Sequence, residues 1–80
     1  MNDKGRLRWH CRRGMKELDV LLEGYLANRY DAAPQRERDV FAELLMLPDP
    51  QLLDYVTGRE EPGDAATIDV VAQLRTSRRA

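Results

Sequence analysis

Five apolar side chains, Leu18, Leu21, Leu22, Tyr25 and Leu26, recur at i, i+3, i+4, i+7 and i+8. That spacing lays them along one stripe of an amphipathic helix from about Met15 to Tyr30. Such a stripe has to be buried against something. No run of four or more residues alternates as a strand would, so the partners must be further short helices. With 80 residues the chain makes one small domain that buries only roughly 60% of its unfolded surface, and a buried substrate cavity is not expected.

Prolines and glycines mark where the other helices stop. Arg6 to Arg13 reads as a short helix carrying Leu7, Trp9 and Cys11, broken from the next by Gly14. Asp31 to Pro34 reads as a connection, with Pro34 in the first turn of a helix bearing Val40, Phe41, Leu44 and Leu45. That helix ends before Pro48, which pushes its predecessor out of the α region. Asp49 then reads as an N-cap with Pro50 at the first helical position, Leu52, Leu53 and Val56 as the apolar side and Gly58 as the C′ residue. After the polar link Arg59 to Gly63, Asp64 caps a last helix with Ile68, Val71, Ala72 and Leu74 or Arg75 at its inner edge. The expected fold is all-α, a single bundle of four or five short helices over residues 1–80, with residues 1–5 and 76–80 flexible. Leu18, Leu21, Leu22, Leu26, Phe41, Leu44, Leu45, Leu52, Val56 and Val71 are read as core, and Glu37, Asp39, Glu43, Glu60 and Glu61 as solvated faces.

The formal charge of −1 hides an uneven distribution. Residues 1–16 carry +5, from Lys4, Arg6, Arg8, Arg12, Arg13 and Lys16 against Asp3; Glu17 to Leu74 carry −9, and Arg75, Arg78 and Arg79 return +3. A basic N-terminal stretch beside a helix suggests a nucleic-acid-binding or transcription-associated module, but the acidic body would repel phosphates and there is no helix-turn-helix signature. An FAD-binding or transferase role would need a Gly-rich phosphate loop, and none is present. One histidine, His10, and one cysteine, Cys11, are too few for a zinc site without carboxylates, and a lone cysteine cannot close an internal disulfide. Cys11 is either a thiol activated by nearby arginines or a small apolar contact near Trp9. Trp9 is either the anchor of the first helix or an exposed interface aromatic. No apolar run approaches the roughly 20 residues that cross a bilayer, and no presequence is recognisable, so the expected location is the cytoplasm.

The run Trp9-His10-Cys11-Arg12-Arg13-Gly14-Met15-Lys16-Glu17-Leu18-Asp19 places two arginines and a glycine immediately before the best helix. Read alone, Gly14 is an N-cap and Glu17 an N3 acid favoured by the helix dipole. Read as a surface, Gly14 lets another molecule approach the backbone while Arg13 and Glu17 offer a donor fork and a pair of acceptors. Capping and docking are compatible.

This run resembles the signature of the FAD assembly factors of succinate dehydrogenase (the SdhE, or YgfY-like, family), whose Arg-Gly-x-x-Glu motif is matched by Arg13, Gly14 and Glu17. The similarity continues through Tyr30-Asp31, Phe41-Ala42-Glu43-Leu44-Leu45 and Asp49-Pro50-Gln51-Leu52. Tyr55 stands where members often have tryptophan, and little beyond a helical pattern follows Gly58. The resemblance implies a helical protein that is not an enzyme. It would bind the flavoprotein subunit of succinate dehydrogenase, with that of fumarate reductase as a second client, and promote covalent attachment of FAD to a client histidine. FAD would be the client's cofactor, with none bound stably by the factor and no metal. The implied partner-binding residues are Arg8, Trp9, Arg12, Arg13, Gly14 and Glu17. Arg13→Ala and Glu17→Ala are expected to weaken client binding with helical content unchanged.

Overall fold

The computed structural model describes residues 3–77. Among the described residues there are five α-helices and no strand: α1 (Asp3–His10), α2 (Lys16–Asn28), α3 (Gln35–Leu44), α4 (Asp49–Thr57) and α5 (Ala65–Arg75), with a 3-10 turn at Tyr30–Ala32 between α2 and α3. Of the segments expected to be flexible, positions 3–5 are helical and 76–77 turn back on the end of α5. The remainder, with Arg78 and Arg79, lies outside the described residues.

The last helix packs against α2, α3 and α4, and α1 packs on α2. Every residue read as core is buried, joined by Cys11, Tyr25, Val70 and Leu74. Tyr25 stacks on Phe41 with ring centroids 4.3 Å apart, and Tyr30 tilts against the same ring at 6.1 Å. Leu18, Leu22, Tyr25, Phe41, Leu52 and Leu74 have no exposed surface, and burying side chains of this size contributes about 1.5–3 kcal/mol each, before the entropy of ordering them.

Helix boundaries follow local chemistry, and several depart from the sequence reading. The first helix starts at Asp3 and stops at His10 rather than spanning Arg6 to Arg13, because the amides of Arg13 and Gly14 turn to the Asp19 carboxylate instead of to helical carbonyls. Met15, not Gly14, is the N-cap of α2, so Glu17 is the second helical residue. Pro34 and Pro48 are themselves N-caps, in extended conformation. Asp49 is therefore the first residue of α4 and not its cap, with Pro50 in the second position, where a missing N–H still costs nothing.

Two predicted ends hold. Gly58 adopts φ 83°, its N–H donates to the Tyr55 carbonyl at 3.3 Å and the Arg59 N–H donates to that of Asp54 at 2.9 Å, the paired bonds of a Schellman motif. Asp64 accepts from the Thr67 N–H at 3.1 Å and its hydroxyl at 2.8 Å. On α5 the buried stripe is Val70, Val71 and Leu74; Ile68 and Ala72, expected inside, lie on the outer surface. Val70 and Val71 are adjacent to each other and both reach Leu74's face, which turns Ile68 away from the core.

Glu37 is not on a solvated face. It is half-buried and accepts from the Tyr25 hydroxyl at 2.6 Å and from both Nε and a terminal nitrogen of Arg29 at 3.0 Å. The Arg29 guanidinium, and after it the Tyr25 hydroxyl, hold its carboxyl below the ordinary range, while burial first and then Glu37 push the Tyr25 phenol up. Among the described residues no buried side-chain nitrogen or oxygen lacks a partner.

Candidate docking site

Between α1 and α2 the chain runs through residues 11–15, where the Cys11 and Arg12 amides still close the last turn of α1 on the Leu7 and Trp9 carbonyls and only those of Arg13 and Gly14 leave the helical pattern. Gly14 sits at φ 82°, in the left-handed region that disfavours any residue with a Cβ. A Cβ built there would meet no atom within 4 Å. The glycine is thus required by backbone conformation inside the chain, and the space over it is open for another molecule.

Two side chains fix this loop. Asp19, one turn into α2, accepts from the Arg13 amide through Oδ1 at 2.8 Å and from the Gly14 amide through Oδ2 at 3.2 Å. Arg13 is turned inward, its side chain only 13% exposed. Its Nε donates to the His10 carbonyl at 2.8 Å, one terminal nitrogen to the Leu47 carbonyl at 2.9 Å and to Asp49 Oδ1 at 3.0 Å, and the other to the Leu45 carbonyl. The Leu45 and Leu47 carbonyls lie where α3 has ended and α4 has not begun, so the guanidinium satisfies groups that no helix supplies with donors. One planar fork thereby ties the 11–15 loop to the α3–α4 connection. The exposed placement expected for Arg13 is not what the structure shows.

The other motif residues face outward. Trp9 is 79% exposed, which settles it as a surface aromatic rather than a core anchor. Arg8, Arg12, Gly14 and Glu17 are exposed as well. Three adjoining depressions share lining residues: Gly5, Arg8, Trp9 and Arg12 line one, Arg8, Arg12, Glu23, Leu26 and Ala27 the next, and Gly14, Lys16, Asp19, Val20 and Glu23 the third. Arg8, Trp9, Arg12 and Gly14 consequently belong to one continuous surface hinged on Glu23, whose carboxylate lies 3.8 Å from Arg12 Nε. Glu17, exposed in the first turn of α2, lines none of the three depressions.

Beneath this surface Cys11 is fully buried, and burial, with Glu23 next, pushes its thiol up to about 12. A thiol so protonated is an apolar contact and not a nucleophile. The basic stretch is also less free than its count suggests. Lys4 pairs with Asp31 at 2.9 Å, Arg12 lies by Glu23, and Arg13 is committed to Asp49 and carbonyls. Asp19, Asp49 and Glu23 were not read as site residues. Asp19 closed the motif run with no role assigned, and Asp49 reads in sequence as a helix cap.

A small all-α body, with a backbone-exposing glycine loop rimmed by Trp9 and arginines, defines a docking protein. The family model described as flavinator of succinate dehydrogenase matches residues 5–78, and the chain belongs to that family. Over 75 residues it is 44% identical to the FAD assembly factor SdhE of Methylococcus capsulatus, covering 94% of this chain and 90% of that one. It is 40% identical over 73 residues to the FAD assembly factor SdhE of Legionella pneumophila (91% of each) and 34% over 70 residues to that of Coxiella burnetii (88% and 85%). Among the described residues no helix is long and apolar enough to cross a membrane.

Proposed function

We propose that this chain is an assembly factor that binds the flavoprotein subunit of succinate dehydrogenase and promotes its covalent flavinylation. The observation that carries the reading is the exposure of Arg8, Trp9, Arg12, Gly14 and Glu17 on and around a loop held by hydrogen bonds from Asp19 and Arg13, in a member of the flavinator family. An exposed tryptophan flanked by arginines has the composition of an interface hot spot. The factor acts by binding, without a nucleophile of its own: the bond to FAD forms in the client, and the factor raises its rate by holding the client in the attachment-competent arrangement. FAD remains the client's cofactor, the flavoprotein subunit of fumarate reductase is a second client of the same chemistry, and the cytoplasm is the place of action.

The test is complex formation with purified apo flavoprotein subunit, followed by size-exclusion chromatography. The native chain is expected to co-elute with it, and Gly14→Arg to stay separate while remaining helical by circular dichroism. Separate elution of the native chain, or equal binding by Gly14→Arg, would count against the reading.

A further inference from the structure

Two aspartates outside the Arg-Gly-x-x-Glu motif hold the loop that the motif occupies. Asp19 engages two consecutive amides, those of Arg13 and Gly14, and these are the bonds that turn the chain into the left-handed conformation at Gly14. Asp49 engages the guanidinium of Arg13 from the opposite side, together with the carbonyls of Leu45 and Leu47. Neither carboxylate is a helix cap: Met15 caps α2 and Pro48 caps α4. The apolar core anchors only the two ends of the loop, through Cys11, fully buried, and Met15, partly buried against it, and leaves Arg12 and Gly14 between them exposed. A loop with a left-handed glycine and little buried surface would sample many shapes in the absence of directional bonds, and a partner would meet the competent one in a fraction of molecules.

We infer that Asp19 and Asp49 are positioning residues for docking: Asp19 through the Arg13 and Gly14 amides, and Asp49 through the Arg13 side chain, preset the 11–15 loop in the shape the partner meets. The inference rests on the docking reading above and deepens it. It assigns Arg13 an inward role, as the strut between the loop and the α3–α4 connection, and leaves direct contact to Trp9, Arg8, Arg12, Glu17 and the bare backbone at Gly14.

The experiment pairs amide hydrogen exchange in the free chain, read at Arg13 and Gly14 by NMR, with the dissociation constant for the apo flavoprotein subunit, for the native chain, Asp19→Asn, Asp19→Ala and Asp49→Asn. Asparagine keeps one carboxamide oxygen to accept with, so exchange at Arg13 and Gly14 is expected to quicken in the order native, Asp19→Asn, Asp19→Ala. Affinity should fall in the same order, by about tenfold for Asp19→Ala if the competent loop drops to a tenth of the population. Asp49→Asn should weaken binding by about threefold on the same basis. Should Asp19→Ala fail to fold, the Asp19→Asn and Asp49→Asn measurements decide. Affinity lost with exchange unchanged would mean that the aspartates touch the partner, and exchange quickened with affinity unchanged would mean that loop shape is irrelevant to docking; either overturns the inference. A native chain that fails to bind while exchange follows the expected order would overturn the docking reading, and the positioning role with it. The exchange data would then stand as a property of the free chain alone.

Discussion

The body of the molecule, α2 to α5, and its N-terminal part, α1 with residues 11–15, are held by different forces. The body rests on Leu18, Leu22, Tyr25, Phe41, Leu52, Val71 and Leu74, all essentially without exposed surface. The N-terminal part buries Cys11 fully and Leu7 partly, leaves Trp9 almost bare, and is tied down by Lys4 to Asp31, by the Arg13 fork and by Asp19. Hydrophobic burial is non-directional and sets how much stability there is; hydrogen bonds are directional and set which shape a surface takes. A protein this small can concentrate its apolar residues in one part and shape a surface loop with polar bonds in the other.

That division is open to being broken by mutation. The largest effect is expected for Leu22→Ala in the body: about 2–5 kcal/mol from lost burial and the cavity left behind, read as a fall in thermal midpoint. A loss below about 1 kcal/mol would mean the core tolerates collapse at that point. Next comes Arg13→Ala, which strips donors from the Leu45 and Leu47 carbonyls and leaves Asp49 unpaired, at about 2 kcal/mol by denaturant unfolding. An unchanged midpoint would show that the fork is idle.

Acid sharpens the contrast within the body itself. Glu37 is held below its ordinary value of 4.5 by Arg29 first and Tyr25 after it, so the native state binds fewer protons than the unfolded chain. Its contribution is fully present above about pH 4.5 and is lost as the pH falls through the lower folded value. Asp31, lowered by Lys4, and Asp64, lowered by Thr67, act in the same direction. Unfolding followed from pH 7 to 3 should therefore show falling stability below pH 4.5, with a shallower slope in Glu37→Gln; identical slopes would remove Glu37 from the account. The smallest effect on stability is expected for Trp9→Ala and Glu17→Ala, within about 0.5 kcal/mol, although Trp9→Ala should weaken client binding by about 2 kcal/mol, as hot-spot aromatics do. A large drop in midpoint for Trp9→Ala would place that ring in the fold after all.

What was legible in the sequence divides along the same line. The apolar period of α2, the core positions of α3 and α4, the Schellman turn at Gly58 and the cap at Asp64 are local properties, readable from spacing and residue type. The inward course of Arg13 was not readable, because the acceptors of its terminal nitrogens lie more than thirty positions away, and an arginine beside a glycine looks the same in sequence whether its fork points in or out. Asp19 and Asp49 were missed for a related reason: carboxylates near helix starts read as dipole or capping residues, and only the fold shows that Pro48 takes the N-cap of α4 and Met15 that of α2. Ile68 was misplaced because a helix with three apolar sides, Ile68, Val70 and Val71, has no single period to choose a face from. Gly14, Arg12, Trp9 and Glu17 were legible as a motif, but that they are exposed while Arg13 turns inward required the third dimension.

The most direct test of docking at the Gly14 loop is the covalent flavin formed in purified apo flavoprotein subunit of succinate dehydrogenase given FAD and a dicarboxylate. It is followed by in-gel fluorescence of the denatured subunit, with no factor, with the native chain and with Gly14→Arg. Acceleration by the native chain and its loss in a Gly14→Arg variant that still melts cooperatively is the predicted result. Equal flavinylation in all three samples, with both factor proteins folded, would contradict it.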